Sequence, residues 1–409
     1  MHDREHARRG RPHDLRRPRR ARRRAERRAV ALLQRQVRTT LGTQARSVNV
    51  TQIPLSRPPV DDEIKQAVLA AIDSRQYILG PQCREFEAEL ARYVGAKHCI
   101  LSNSATAGLW LTLRGLGVKA GDEILVPSHT AFPTIEAICF AEATPVFVDA
   151  DEFYTMDAHD AAAKATPRTV GVVPVHLYGQ PVDVDAARGL ASRLGVWMLE
   201  DCAQAHGAAW KDQKVGSFGR AGVFSFYPSK NLTVMGDGGA IVTNDDEIAA
   251  RCRRLRDHGR TNKDIHEEVG FNLRFNDIQA AIGRVMLRRL DAMNDHRRAL
   301  AARYDRALAG LPLGLPEERP HGRHVYHLYV VRTPRRNELA AFLKARNIQT
   351  GIHYPVPSHR QPAVEKFAPP PLPTTERLVD EILTLPISAG HTEAEIDAVA
   401  KAVREFFGA

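Results

Sequence analysis

Lys230 is the lone lysine of "FSFYPSKNLTVMGDGGAIVTN" (224–244), an aromatic-rich run that ends in glycines at 236, 238 and 239. An amine set between a strand-like run and a flexible turn suits a nucleophile that must reach a buried carbonyl group, which it captures as a Schiff base. A second chemical group stands at the end of "VWMLED" (196–201), where an apolar run delivers Glu200 and Asp201, with Gln204 and His206 just beyond. A carboxylate there holds a cationic ring nitrogen or a metal ion, or caps the next helix. A third is "LSNSATAGL" (101–109), a strand end followed by small residues and a helix. Small side chains let an anion approach free backbone N–H groups, and the helix dipole favours it. The same residue types also serve as plain helix caps.

Taken together, one lysine, one aspartate and a hydroxyl-lined helix start meet the needs of pyridoxal phosphate: an amine for its aldehyde, a carboxylate for its ring nitrogen, donors for its phosphate. Ser225, five residues before Lys230, adds a further hydroxyl. Other chemistries lack their signatures. The chain has no GxxxxGK[ST], no GxGxxG after a strand, no GxSxG and no HExxH. His321, His324 and His327 recur every three residues before a strand and read as solvent-facing or packing residues, so no metal site is expected.

These groups need elements that bring strand ends together. "DDEIKQAVLAAIDS" (61–74), "REFEAELARYVGA" and "ATAGLWLTLRGLG" have helical apolar spacing, the second ending near Gly95 as a C-cap. Strand-like runs follow "HCILSN": "EILVP" (123–127), "TPVFVD" (144–149), "VGVVPVHLYG" (170–179), "VWMLED" (196–201), "GVFSFY" (222–227) and "GAIVTN" (239–244). Several are apolar without alternation, as in strands covered on both faces. Interleaved helices make this an α/β domain with a mostly parallel sheet over 51–300, where ligands sit at strand carboxyl ends. After a long helical stretch (276–311), Pro-rich loops alternate with strand-like 327–332 and 349–355 and with helices near 337–346 and 393–407. That reads as a smaller C-terminal α+β domain, 301–409.

The net charge of +10 is misleading as a nucleic-acid signal, because residues 1–50 hold 16 arginines, no lysine and four acids, while the remainder holds 42 basic and 44 acidic residues. The basic stretch reads as a disordered extension or an over-long start, with a nucleic-acid-binding arm as the weaker alternative. No run reaches the ~18 apolar residues of a membrane helix. Five scattered cysteines without a CxxC pair argue against a disulfide framework and for a reducing, cytoplasmic setting.

With "SNSATAGL", "GDEILVPSHT", "TPVFVDAD", "VPVHLYGQPVDVD", "EDCAQAHGA", "GFNLRFNDIQAAIG" and "TGIHYPVPSHRQP" around the Lys230 block, residues 53–407 resemble the DegT/DnrJ/EryC1/StrS sugar aminotransferases. The resemblance implies fold type I of the pyridoxal-phosphate transferases, and transfer of an amine from L-glutamate or L-glutamine to a keto sugar nucleotide. It implies that Lys230 is the Schiff-base lysine, that Asp201 holds the ring nitrogen, and that Gln204 lies beside the ring. It likewise implies a phosphate cradle of Ser225, Ala105 and Thr106. Asn272 matches an asparagine reaching the phosphate from a neighbouring subunit, hence a homodimer with shared sites. His353, Tyr354 and His359 fall in the segment lining the sugar-nucleotide side. Many members carry an aromatic after "PSxT" that stacks on the ring. Here that residue is Ala131, which leaves the role to Phe132 or His129, or that face is covered differently. A dehydrating branch carries histidine where this chain has Lys230. The other readings are a pyridoxal-phosphate-binding regulator without turnover and an aminotransferase acting on a keto-cyclitol.

Overall fold

The apolar runs become the strands of one twisted sheet in the computed structural model, which describes residues 52–409. In chain order the strands are β1 (His98–Ser102), β2 (Glu123–Pro127), β3 (Thr144–Val148), β4 (Thr169–Val172), β5 (Trp197–Asp201), the two-residue β6 (Ala209–Trp210) and β7 (Gln213–Lys214), β8 (Ala221–Ser225) and β9 (Gly239–Thr243). Seven of them form the main sheet in the order β1-β9-β8-β5-β4-β2-β3. Only β9 runs against its neighbours; the pairings β8–β5, β5–β4, β4–β2 and β2–β3 are parallel. β2, β8 and β9 are buried at every residue, as their unbroken apolar text demands.

Alternation along a strand sends neighbouring side chains to opposite faces, and two apolar layers result. Ile100, Val223 and Ile241 pack under the helices Ala105–Gly115 and Asp246–Arg256. Leu101, Phe224 and Val242 pack under Pro81–Val94 and the first half of Asp277–Leu308. Helix starts follow the capping residues: Asp61, Ser104, Asp183, Asp245 and Asn276 each accept a backbone N–H of the first turn. Gly95 ends its helix with φ 82°, a conformation glycine adopts without strain.

The 32-residue helix Asp277–Leu308 extends beyond the sheet, and its last turns (Leu300, Tyr304, Leu308) enter a separate apolar cluster. Residue 300 therefore lies inside one continuous helix. That cluster is closed by the antiparallel pair β11 (Tyr329–Arg332) and β12 (Ile382–Leu385) and by the helix Glu393–Phe407, while β10 (Gly322–Arg323) pairs with β6.

Two expected strands differ. Residues 349–355 form no strand; Gly351 makes a single bridge to Thr384, and the partner of β11 is instead "ILTL" of β12. The run 170–179 stops being strand at Val172, two residues before Pro174, whose missing N–H breaks a ladder. Beyond it a turn (Leu177–Gly179) brings Tyr178 to φ 59°. Among the described residues no helix is long and apolar enough to cross a membrane. The basic extension 1–50 lies outside the described residues.

Candidate active site

The end of β5 splits its two acids between opposite faces. Glu200 accepts the backbone N–H groups of Gly216 (2.8 Å), Phe218 (2.7 Å) and Gly219 (2.9 Å) and so anchors the loop before β8. Its fourth partner is His176 Nε2 at 3.1 Å, the hydrogen being on Nε2 because Nδ1 accepts Val182 N–H. With Cys202 these residues form a ligand-capable trio, but the carboxylate is already occupied by four donors. Asp201 points to the other face and is 3% exposed. Thr134 donates its hydroxyl to Asp201 Oδ2 (2.8 Å) and Ala203 N–H to Oδ1 (3.0 Å). Burial pushes the Asp201 carboxyl pKa up, opposed by those two hydrogen bonds and by the charge of Lys230.

Lys230 follows β8 in a turn closed by its own N–H on Tyr227 O (2.9 Å). The residue retains some surface, yet its amine is dry enough that desolvation pulls its pKa down to about 8, with Asp201 alone opposing. Three histidines lie within reach of its charge. Burial first, then Lys230, pushes His206 down to about 3, His353 down to about 4, and His327 well below its usual value. His206 is enclosed by the rings of Phe224 and Phe226, and neither of its ring nitrogens has a protein partner among the described residues.

Ser225, at the end of β8, pairs with Gly239, which on its other side pairs with Ser102 of β1. A Cβ on Gly239 would lie 2.5 Å from both Ala105 N and Ser104 C, so glycine is required for β9 to pass under the helix start. Ser225, Ala105 and Thr106 are thereby gathered at one point. Ser104 Oγ accepts Ala107 N–H (3.1 Å), and the N–H groups before it have no partner inside the helix. Thr106 also lines a cavity of about 410 Å³ with Asn103, Trp110 and Leu273.

Gln204 is held at both ends, accepting Tyr178 N–H (2.8 Å) and donating to the Tyr354 hydroxyl (2.9 Å). Tyr178 donates its hydroxyl to His353 O and accepts from His129 Nε2 (2.8 Å). Gln204, His353 and Tyr354 thus form one linked group. Of the two stacking candidates, Phe132 is half-buried against the apolar layer under Ala105–Gly115, and His129 is buried against the rings of Tyr154 and Tyr178.

Two expected residues stand apart. His359 is 2% exposed, with Nδ1 on Ser128 Oγ (2.6 Å) and Nε2 on Glu376 (2.9 Å), so no ring nitrogen is left for a ligand. Asn272 is exposed and its Oδ1 accepts Arg274 Nε (3.0 Å), with no hydrogen bond to Asp201 or Lys230. Reasoning from the sequence missed Thr134 and Tyr178. Thr134 and Tyr178 lie in the "PSHTAFPT" and "VHLYGQ" blocks, where only their contacts reveal them.

The model of the DegT/DnrJ/EryC1/StrS aminotransferase family matches residues 58–404. The dTDP-3-amino-3,4,6-trideoxy-alpha-D-glucose transaminase of Streptomyces venezuelae is 46% identical over 348 residues, which cover 84% of this chain and 92% of that protein. The UDP-N-acetyl-3-dehydro-alpha-D-glucosamine 3-aminotransferase of Acidithiobacillus ferrooxidans is 40% identical over 363 residues, 88% of this chain and 98% of its own. Among solved structures, S. venezuelae DesV in complex with a ketimine intermediate superposes with a TM-score of 0.84 at 42% identity, covering 88% of this chain and all of that one.

Proposed function

The chain belongs to the DegT/DnrJ/EryC1/StrS aminotransferase family, and we propose that it moves an amine from L-glutamate or L-glutamine to the ketone of a nucleoside-diphosphate sugar, using pyridoxal phosphate held by Lys230 and Asp201. Carbon 3 is the acceptor position we propose, because both relatives named above carry or form the amine at that carbon. The observation that carries the reading is the convergence of a depressed amine, a buried carboxylate and an open helix start at the carboxyl ends of β5, β8 and β1.

The residues fit the cofactor on their own terms. Asp201 is a buried carboxyl with two neutral donors, and a protonated ring nitrogen would supply the directly paired cation that favours its ionised form. Gly239 clears the approach to Ala105 that a side chain would fill, leaving backbone donors for a phosphate. Pyridoxal phosphate, when bound, supplies an aldehyde for the amines and a ring that accepts electrons from the carbon being deprotonated.

The chain's own groups do the rest. With a pKa near 8, roughly one Lys230 amine in ten is neutral at pH 7, enough to act as nucleophile and as base. Freed Lys230 takes the proton from the donor's Cα and returns it on the other side of the transfer. Thr134 and Ala203 N–H oppose the effect of burial on the Asp201 carboxyl and aim it. Gln204, fixed by Tyr178 and Tyr354, borders the ring. Asn272, exposed and unused within its own chain's group, is our candidate for a contribution to a second copy's site in a homodimer.

Borohydride reduction of the reconstituted protein, followed by peptide mapping with and without L-glutamate, tests the reading. A pyridoxyl adduct on Lys230 that glutamate abolishes is expected, and Lys230→Ala is expected to bind the cofactor non-covalently without transamination. No adduct on the loaded protein, or wild-type turnover by Lys230→Ala, would sink it. Paired assays with 3-keto and 4-keto sugar nucleotides then decide the carbon.

A further inference from the structure

Tyr178 ties together segments that are distant in the chain, and the direction of each bond can be read. A carbonyl has no hydrogen, so the one between the Tyr178 hydroxyl and His353 O is the phenol's. The same oxygen, its hydrogen already engaged, must accept from His129 Nε2 (2.8 Å). Burial, against the pull of Asp149, holds the His129 pKa down to about 4, so the ring is neutral and carries its one hydrogen on Nε2. A one-way chain results, from His129 just beyond β2, through the phenol, to the main chain of residue 353. The N–H of Tyr178 points elsewhere, to Gln204 Oε1 (2.8 Å), whose Nε2 donates to the Tyr354 hydroxyl (2.9 Å).

The turn that presents the phenol is strained and braced. Tyr178 is 2% exposed and stands at φ 59°, a conformation few residues other than glycine adopt. Leu328 N–H on Tyr178 O (3.2 Å) and Val325 N–H on Gly179 O (3.0 Å) hold it there. On the other side of residue 353 stands Thr384 of β12. It exchanges N–H bonds with Gly351 (2.8 and 3.2 Å), and its hydroxyl meets His353 Nδ1 (2.7 Å). Residues 351–354 are therefore suspended between β12 and the Tyr178 turn, and the phenol is the group that ties the main chain at 353 to that turn.

We propose that Tyr178 is a positioning residue for the amine acceptor: its hydroxyl sets the place of the His353–Tyr354 main chain, and through it the wall against which the sugar nucleotide lies, without touching the reacting atoms. The inference rests on the acceptor proposed above and on the place given to His353 and Tyr354 on the acceptor's side. An amino-acid donor is far smaller than a sugar nucleotide and has less of that wall to use. Gln204 is held by the main-chain N–H of residue 178, so its place does not depend on the hydroxyl.

Tyr178→Phe isolates the hydroxyl, because the ring contacts with His129 (5.8 Å between centroids) and Tyr154 (5.5 Å) and the N–H bond to Gln204 need only the ring and the main chain. Steady-state kinetics are run with L-glutamate and with the keto sugar nucleotide that the wild type aminates. The acceptor's kcat/KM should fall on the order of 10-fold through its KM, as for one buried hydrogen bond lost. That for glutamate should fall by no more than about two-fold. Calorimetry on the cofactor-loaded protein, with the same sugar nucleotide bearing a hydroxyl in place of the ketone, should show a matching rise in Kd without turnover. Equal losses for both substrates, or wild-type kcat/KM and Kd on the acceptor's side, would overturn the proposal. A wild type that aminates no keto sugar nucleotide would instead overturn the parent reading. Neutron diffraction from the wild-type protein needs no variant to fold: deuterium on His129 Nε2 and a phenol deuterium directed at His353 O are expected, and deuterium on His129 Nδ1 with none on Nε2 refutes the chain.

Discussion

Replacing Gly239 with alanine would put a methyl group 2.5 Å from Ala105 N and Ser104 C and 2.6 Å from Ser104 O, all backbone atoms that no rotamer change can move. β9 cannot retreat, because residue 239 is paired with Ser225 on one side and Ser102 on the other. The start of the helix Ala105–Gly115 must yield, by about 1 Å to reach ordinary contact. Overpacking of this kind costs about 1–3 kcal/mol, and in a unit of this size that lowers the apo-protein Tm by about 1–4 °C. The larger effect falls on the phosphate, since displaced N–H groups lose a charge-assisted hydrogen bond worth about 1.5–3 kcal/mol. The Kd for pyridoxal phosphate should rise about 10- to 100-fold, while Lys230 still reacts at saturation. Absorbance titration gives the Kd and thermal melts of apo-protein give the Tm. Gly189→Ala supplies the contrast: it lies within the helix Val184–Leu194, where the new Cβ meets only Arg193 Nη1 at 3.4 Å. That variant should gain about 0.5–1 kcal/mol of stability with Kd unchanged. Wild-type Kd and Tm in Gly239→Ala would refute the claim that this glycine holds the cradle open.

Two further outcomes follow from the same geometry. Burial lowers the Lys230 pKa from 10.5 to about 8, so between those values the unfolded chain binds more protons than the folded one and apo-protein stability rises with pH. Below about 8 the burial penalty is present in full; Lys230→Met should remove this rise, and urea midpoints that run parallel for the two proteins across the window would contradict the assignment. His359→Leu leaves the Ser128 hydroxyl hydrogen without its acceptor, its oxygen still accepting the N–H of residue 359, while Glu376 keeps Arg360, so stability should fall by about 1–3 kcal/mol with KM for both substrates unchanged. Wild-type stability with a raised KM would instead put His359 against the substrate.

How far the sequence reaches is visible in the contrast between Asp201 and His359. Asp201 ends an unbroken apolar strand, and strand periodicity alone puts Glu200 on the opposite face, so the text contains both the position and the division of labour. The helices at 62–74 and 393–407 and the strand at 123–127 are equally plain, because caps and apolar spacing agree with the tertiary outcome there. His359 is different: whether a histidine in a Pro-rich loop lines a ligand or locks two segments together depends on Ser128, 231 residues away, and Glu376. β12 escaped for a related reason, since "ILTL" directly follows a helix with no turn signal and becomes a strand only by pairing with β11. His327 is the sharpest case. Its spacing with His321 and His324 reads as surface or packing, and nothing local distinguishes it. Its tautomer is set by an amide chain that runs from Val325 O through Asn231 and Asn294 to His206 O, four segments that meet only in the folded chain. What local text cannot carry here is the hydrogen-bond direction, and direction decides which nitrogen of a buried ring donates and which accepts.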